Sequence, residues 1–228
     1  MLLYSVQPLS VWNDLSQGRV VTATPFDADP QSCEGADEAW REPYTWLSEQ
    51  MRARAIEGLP NEPTPAFPMW AWHWYNGWRS QKPDLRTRTM RDGSLTQRMV
   101  LLHLDIDASR VLLSDYDGWH WCLNYWYLGR DRETRAFQRE VKEALNTSYF
   151  KSKPLPDPGY DARLRRTWER MFDLPAMRPI LQTSMKKQIV QATLWQLTKA
   201  DVISAVEFGM HQPSHPISFQ THPHLPTP

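Results

Sequence analysis

Tryptophan constrains this chain more than any other residue type. Twelve stand among 228 residues, and seven of those fall in two short stretches: Trp70, Trp72, Trp74 and Trp78, then Trp119, Trp121 and Trp126. Each aromatic side chain of this kind buries roughly 150–250 Å². A fold that accepts so many needs either a broad continuous core or a surface where flat rings meet a ligand. Polar side chains are interleaved with both clusters (His73, His120, Asn124), so composition leaves both uses open. A chain of this length fits one large domain that buries enough apolar surface to need no disulfide and no structural metal.

Periodicity divides the chain into elements. Met69–Tyr75 alternates, with Trp70, Trp72 and Trp74 facing one way and Ala71 and His73 the other, which predicts a strand. Further strands are expected at Leu2–Val6, Arg19–Ala23, Met99–Ile106, Arg110–Leu113 and Lys187–Leu197, with Ile203–Phe208 as the last element. Helices are expected after Pro8, stopped by Gly18, and over Ala36–Glu57, where Pro43 implies a kink or a restart near Glu42. Others are expected after a Ser114 cap, over Asp131–Asn146 with a Phe137, Val141, Leu145 stripe, and over Asp161–Phe172. Thr198 and Asp201 have the spacing of a capping turn. Thr24–Gly35, Pro60–Pro68 and Asn76–Thr96 read as loops, the last long enough to suggest a functional role. Residues 210–228 combine prolines and histidines with no other charge and read as a disordered tail. The expected architecture is α+β: a single domain over residues 1–209, with a mixed or antiparallel central sheet and flanking helices.

Charge and motifs exclude several classes. Twenty-six basic residues balance 26 acidic ones, which argues against a basic footprint over the whole molecule. Cys33 and Cys122 form no CxxC pair, so a thiolate zinc site is not expected, and no HExxH motif suggests another metal. No stretch is long and apolar enough to span a membrane, and no signal peptide is apparent, leaving the cytoplasm as the default compartment. GxGxxG, Walker and GxSxG motifs are all missing.

The run Leu113-Ser114-Asp115-Tyr116-Asp117-Gly118-Trp119-His120-Trp121-Cys122-Leu123-Asn124, preceded by Pro68-Met69-Trp70-Ala71-Trp72 and Lys82-Pro83-Asp84-Leu85-Arg86, resembles a bacterial family catalogued as domain of unknown function 3841. That resemblance covers most of residues 1–209 and names no reaction. The ends carry a second one. Leu3-Tyr4-Ser5-Val6-Gln7, a short helix and Gly18, with Gln191-Ala192-Thr193-Leu194-Trp195 and Asp201-Val202-Ile203 at the close, resemble small DarT-type ADP-ribosyltransferases that modify nucleic acid. This second resemblance implies an ADP-ribosyltransferase-like fold that uses NAD. A residue on the first strand would meet the NAD ribose, and a glutamate on a late strand would polarise a ribose hydroxyl as nicotinamide leaves. Gln7 stands at the first place, and Gln191 or Thr193 near the second. A neutral amide cannot supply the charge that such a site uses, so either Glu207, Asp115 or Asp117 takes that role or the fold binds without the chemistry.

Two sets of residues are therefore candidates. Asp115, Asp117 and His120 follow a strand within one and a half helical turns, where an imidazole can exchange protons near neutral pH; with Gln191 they form the catalytic set. Gln7, Trp72, Tyr75, Arg86 and Asn124 are the candidate cofactor-binding residues, the aromatics for nicotinamide or adenine and Arg86 for phosphate. The acceptor expected is a nucleic acid or a protein. The competing expectation is a non-catalytic module that holds single-stranded nucleic acid or a protein partner. It would use the Trp clusters and two Arg runs, Arg86, Arg88, Arg91 and Arg163, Arg165, Arg166, Arg170.

Overall fold

A computed structural model of the chain describes residues 1–23, 36–60, 67–87, 98–146, 153–209 and 212–217. The Thr24–Gly35 loop, Cys33, Arg88, Arg91 and the end of the tail lie outside these residues. The architecture is α+β, and its central sheet is antiparallel throughout. In chain order the strands are β1 (Leu2–Pro8), β2 (Val21–Thr22), β3 (Met69–Trp74), β4 (Met99–Asp105), β5 (Leu112–Asp115), β6 (Val190–Leu194), β7 (Gln196–Leu197), β8 (Val202–Gly209) and β9 (Gln212–Ile217). Seven of them form one sheet in the order β5-β6-β3-β1-β4-β8-β9, while β2 and β7 pair separately. The helices are α1 (Leu9–Ser16), α2 (Ala36–Ala53), α3 (Tyr116–Leu123), α4 (Asp131–Leu145), α5 (Pro158–Trp168) and α6 (Leu174–Leu181).

Both faces of the sheet are covered, which is why its central strands are apolar on both sides. On one face Leu3, Ala71, Val100, Leu102, Leu104, Ala192 and Ala205 pack under Trp12 and Leu15 of α1. On the other, Leu112 of β5 joins a core of Trp46, Leu47 and Met51 from α2, Trp119 and Cys122 from α3, Phe137 and Val141 from α4, and Leu164 and Trp168 from α5. Two of the core indoles satisfy their N–H on the backbone: Trp168 Nε1 donates to the Trp126 carbonyl at 2.8 Å and Trp195 Nε1 to that of Ile56 at 2.9 Å.

The differences from the sequence-based expectations have local causes. α2 runs through Pro43 and ends at Ala53, short of Glu57. The long strand expected up to Leu197 divides into β6 and β7. Asp115, rather than Ser114, caps α3 through its carboxylate. The helix expected over Asp161–Phe172 begins at Pro158 behind an Asp157 cap and finishes in a tighter 3₁₀ turn, Glu169–Phe172. α6 was not anticipated, because Pro175 and Pro179 disguise it; Pro175 lies in the first turn, where its missing N–H costs nothing. β9 extends the sheet into the segment expected to be disordered, with Ala205 opposite Ile217 and Glu207 opposite His215. Finally, a bulge between Trp72 and Trp74 brings Trp74 opposite Val190 while Trp72 stays opposite Gln191, so the two no longer share a face.

Candidate functional site

One transverse row of side chains organises the helical face of the sheet. Ser114 lies opposite Gln191, Gln191 opposite Trp72, Trp72 opposite Tyr4, and Tyr4 opposite His103. Directly opposed residues of an antiparallel ladder point to the same side, so all five project from one face. The Tyr4 and His103 rings stack at 4.6 Å. Gln191 is only 4% exposed, and its Nε2 donates to Ser114 Oγ at 3.3 Å.

α3 packs against this part of the sheet and is held there at its start. Asp115, 1% exposed, accepts the Gly118 N–H at 3.0 Å and Gln188 Nε2 at 2.8 Å, while Tyr116 N donates to the Ile189 carbonyl at 3.1 Å. A Cβ on Gly118 would come within 2.8 Å of Met171 Cβ and 2.9 Å of Met177 Cε, so only glycine allows this close approach. Burial pushes the Asp115 carboxyl above its ordinary value, with the Gln188 and Gly118 hydrogen bonds pulling partly back. Tyr116, Trp119, His120 and Leu123 recur at the helical spacing i, i+3, i+4, i+7 and so share one face of α3.

Between that face and the sheet lies a pocket of about 400 Å³. Trp70, Trp72 and Gln191 line it from the sheet with Val6 and Met99; Tyr116, Trp119, His120 and Leu123 line it from α3, and Tyr44 from α2. The rings are in mutual contact: Trp72 is 5.2 Å from Tyr116, Tyr116 4.3 Å from His120, and Tyr44 5.2 Å from Trp119. Burial raises the phenol of Tyr44, an effect the adjacent Trp70 side chain partly offsets. Burial also raises the phenol of Tyr116, reinforced by the negative charge of Asp117. Both hydroxyls therefore stay protonated. His120 Nδ1 lies 2.9 Å from the Tyr116 carbonyl, which can only accept. Nδ1 thus carries the proton, and in the neutral ring Nε2 keeps its lone pair. Among the described lining residues there is no carboxylate, lysine or arginine.

The pocket brings together three of the residues singled out in the sequence: His120, Trp72 and Gln191. The others lie elsewhere. Asp115 is committed to capping α3, and Asp117 is exposed. Gln7 follows Val6 on β1 and turns away from the pocket, its Nε2 donating to Ser5 Oγ at 2.8 Å. Tyr75 packs edge-on against Trp72 at 5.3 Å without lining the pocket. Asn124 sits at the end of α3 and donates to the His120 carbonyl at 2.7 Å. Arg86 is exposed and forked onto Asp84 at 2.9 and 2.8 Å. Glu207 pairs with Arg98, and Thr193 hydrogen-bonds the Leu112 carbonyl. Tyr116 and Tyr44 are lining residues that the sequence reading missed. Tyr116 was within reach, since it stands four residues before His120 on the same helical face; nothing in the sequence links Tyr44 to either.

The Arg runs prove to be largely paired: Arg163 with Glu140, Arg165 with Glu42, Arg170 with Glu133. Trp12, Trp46, Trp119, Trp168 and Trp195 are core residues. Among the described residues no group of three or more His, Cys, Asp or Glu is placed to hold a metal ion, and no helix is long and apolar enough to cross a membrane.

A family model described as a domain of unknown function (DUF3841) matches residues 2–203, a span that includes every residue lining the pocket. No curated protein and no solved structure matches the chain.

Proposed function

We propose, for a chain that belongs to the DUF3841 family, that the aromatic pocket binds the nicotinamide end of NAD and that the domain is ADP-ribosyltransferase-like. The observation that carries this reading is the position of Gln191. It is a buried polar side chain on a late strand, set in an otherwise aromatic pocket, and β3 alone separates its strand from β1. These are the two strands to which the DarT-type resemblance assigns contacts with the ribose. A volume of about 400 Å³ suits a nicotinamide with its ribose, at the lower end of the range for small-molecule sites.

The residues present fit such a ligand. The Trp72 and Tyr116 rings offer faces to a planar, positively charged ring, a contact that strengthens where water is excluded. The Gln191 amide can hydrogen-bond a ribose hydroxyl. The Nε2 lone pair of His120 can take the proton of an attacking acceptor as the bond from the ribose carbon to nicotinamide breaks. Without a carboxylate beside the ribose, charge developing there is met only by ring faces and an amide dipole. Turnover is therefore expected to be slow.

Thermal melting with and without NAD, together with measured nicotinamide release, tests the proposal. Stabilisation by NAD that is lost in Trp72→Ala supports it. A melting temperature unmoved by millimolar NAD, with no nicotinamide released on addition of oligonucleotide or protein acceptors, would sink it.

A further inference from the structure

The paired Arg runs leave the question of where unpaired positive charge gathers. It gathers where the turn after β3 meets the turn before β6. The first turn folds back on itself, with Asn76 N donating to the Ser80 carbonyl at 2.9 Å and Tyr75 N to that of Gln81 at 3.2 Å. It then locks onto the second. Trp78 N donates to the Met185 carbonyl at 3.4 Å, and Gly77, at φ +77°, lies so close to Lys186 that a Cβ would stand 1.9 Å from its carbonyl oxygen. The joined turns present Arg79, Lys82, Lys186 and Lys187, all exposed, and none makes an ion pair among the described residues. Residues 75–83 and 182–189 contain no acidic side chain. Asp84, the next carboxylate along the first turn, is held by Arg86.

Two large apolar side chains stand among these cations. Trp78 is 40% exposed and Met185 41%, which places both among the few exposed large apolar side chains. The Arg79 guanidinium lies 4.7 Å from the centre of the Trp78 ring. A flat ring flanked by unpaired cations is the arrangement that suits a single strand, since bases stack on the indole and phosphates meet the charges. Duplex DNA would offer the phosphates but no free base. An acidic peptide would satisfy the lysines and leave the indole without a planar partner.

We infer that the Trp78–Arg79–Lys186–Lys187 surface, together with Lys82 of the same turn, is a docking site for single-stranded nucleic acid. Its location gives the surface a consequence for the pocket. Lys187 is four residues before Gln191, so the chain allows at most about 13 Å between them, and a nucleic acid held on the turns lies at the start of β6, the strand that carries the pocket residue Gln191. The inference does not require NAD to occupy that pocket.

Fluorescence anisotropy of a labelled oligothymidylate of about 12 nucleotides provides the test, using the full chain between about 50 and 200 mM salt. With four phosphate contacts, the logarithm of the affinity should fall against the logarithm of salt concentration with a slope of about −2.8. Combined Arg79→Gln, Lys186→Gln and Lys187→Gln substitutions should weaken binding at least tenfold and flatten the slope by about 2. Trp78→Ala should cost roughly fivefold or more while leaving the slope unchanged, because stacking releases no counterions. The inference is overturned if the oligonucleotide does not bind at about 50 mM salt, or if the triple variant binds as well as the parent. A duplex or a polyglutamate peptide binding more tightly than the single strand would overturn it too. NAD-dependent melting of the triple variant keeps the two proposals separate: it should match the parent, and its absence from both would remove only the pocket reading.

Discussion

Replacing Asp115 by alanine tests the way the pocket is built. The carboxylate is buried, caps α3 at the Gly118 N–H and receives Gln188 Nε2. Losing an N-cap costs about 0.5–2 kcal/mol, near 1 in most cases. The loss at Gln188 is smaller, because Nε2 also donates to the Leu174 carbonyl at 2.8 Å and Oε1 still accepts Arg178 Nε at 3.1 Å. Against this, alanine removes a carboxylate whose burial opposes its charge. The net loss near neutral pH should therefore be about 1–2 kcal/mol, a fall in melting temperature of roughly 2–8 °C for a domain of this size. The pH dependence has a definite sign. Because the folded-state pKa of Asp115 is raised, the folded parent binds a proton more readily than the unfolded chain. Its stability therefore gains from this group as pH falls through the folded value towards the unfolded one, and the alanine variant has no such gain. The difference between parent and variant should accordingly widen from pH 7 to pH 4 in paired urea titrations. Since α3 carries four of the lining residues, stabilisation by NAD should weaken as well. A variant as stable as the parent, or a difference that narrows on acidification, would refute the reasoning.

Two more substitutions separate site from scaffold. His120→Ala should change stability by less than about 1 kcal/mol, because the side-chain hydrogen bond lost among the described residues is the one to the Tyr116 carbonyl within the same helix, yet it should abolish nicotinamide release; a larger loss of stability would make His120 a structural residue. Gly77→Ala should part the two turns, because it places a Cβ on the Lys186 carbonyl and imposes a positive φ on alanine, costing about 1–3 kcal/mol. Oligonucleotide affinity should fall with it, and unchanged affinity would mean that the turns need not be joined.

Local pattern predicted much of this protein. Strand β4 follows from alternation, α4 from the Phe137, Val141, Leu145 stripe, and the turn at Thr198 from its pairing with Asp201, whose carboxylate accepts the Thr198 N–H at 2.7 Å. Such features depend on neighbours within a few residues, so they can be read in one dimension. α6 and β9 escaped for the same reason: proline is a poor local signal for either element, and each is held by contacts with distant segments, as β9 is by its pairing with β8. The resemblance to the DUF3841 family rested on motifs in order, and the family match over residues 2–203 shows it.

What the sequence could not decide was which of the aromatic and charged residues meet. Trp168 and Trp72 carry the same side chain, yet one is core and the other lines a pocket. Arg163 and Arg79 carry the same charge, yet among the described residues one is paired and the other is not. Gln191 and Trp72 stand 119 positions apart and become neighbours only through the register of β6 on β3. Composition and periodicity settle how much apolar surface must be buried and in what local shape. Register and helix packing are set by the summed fit of many distant contacts, and they alone select the few side chains that remain around the pocket.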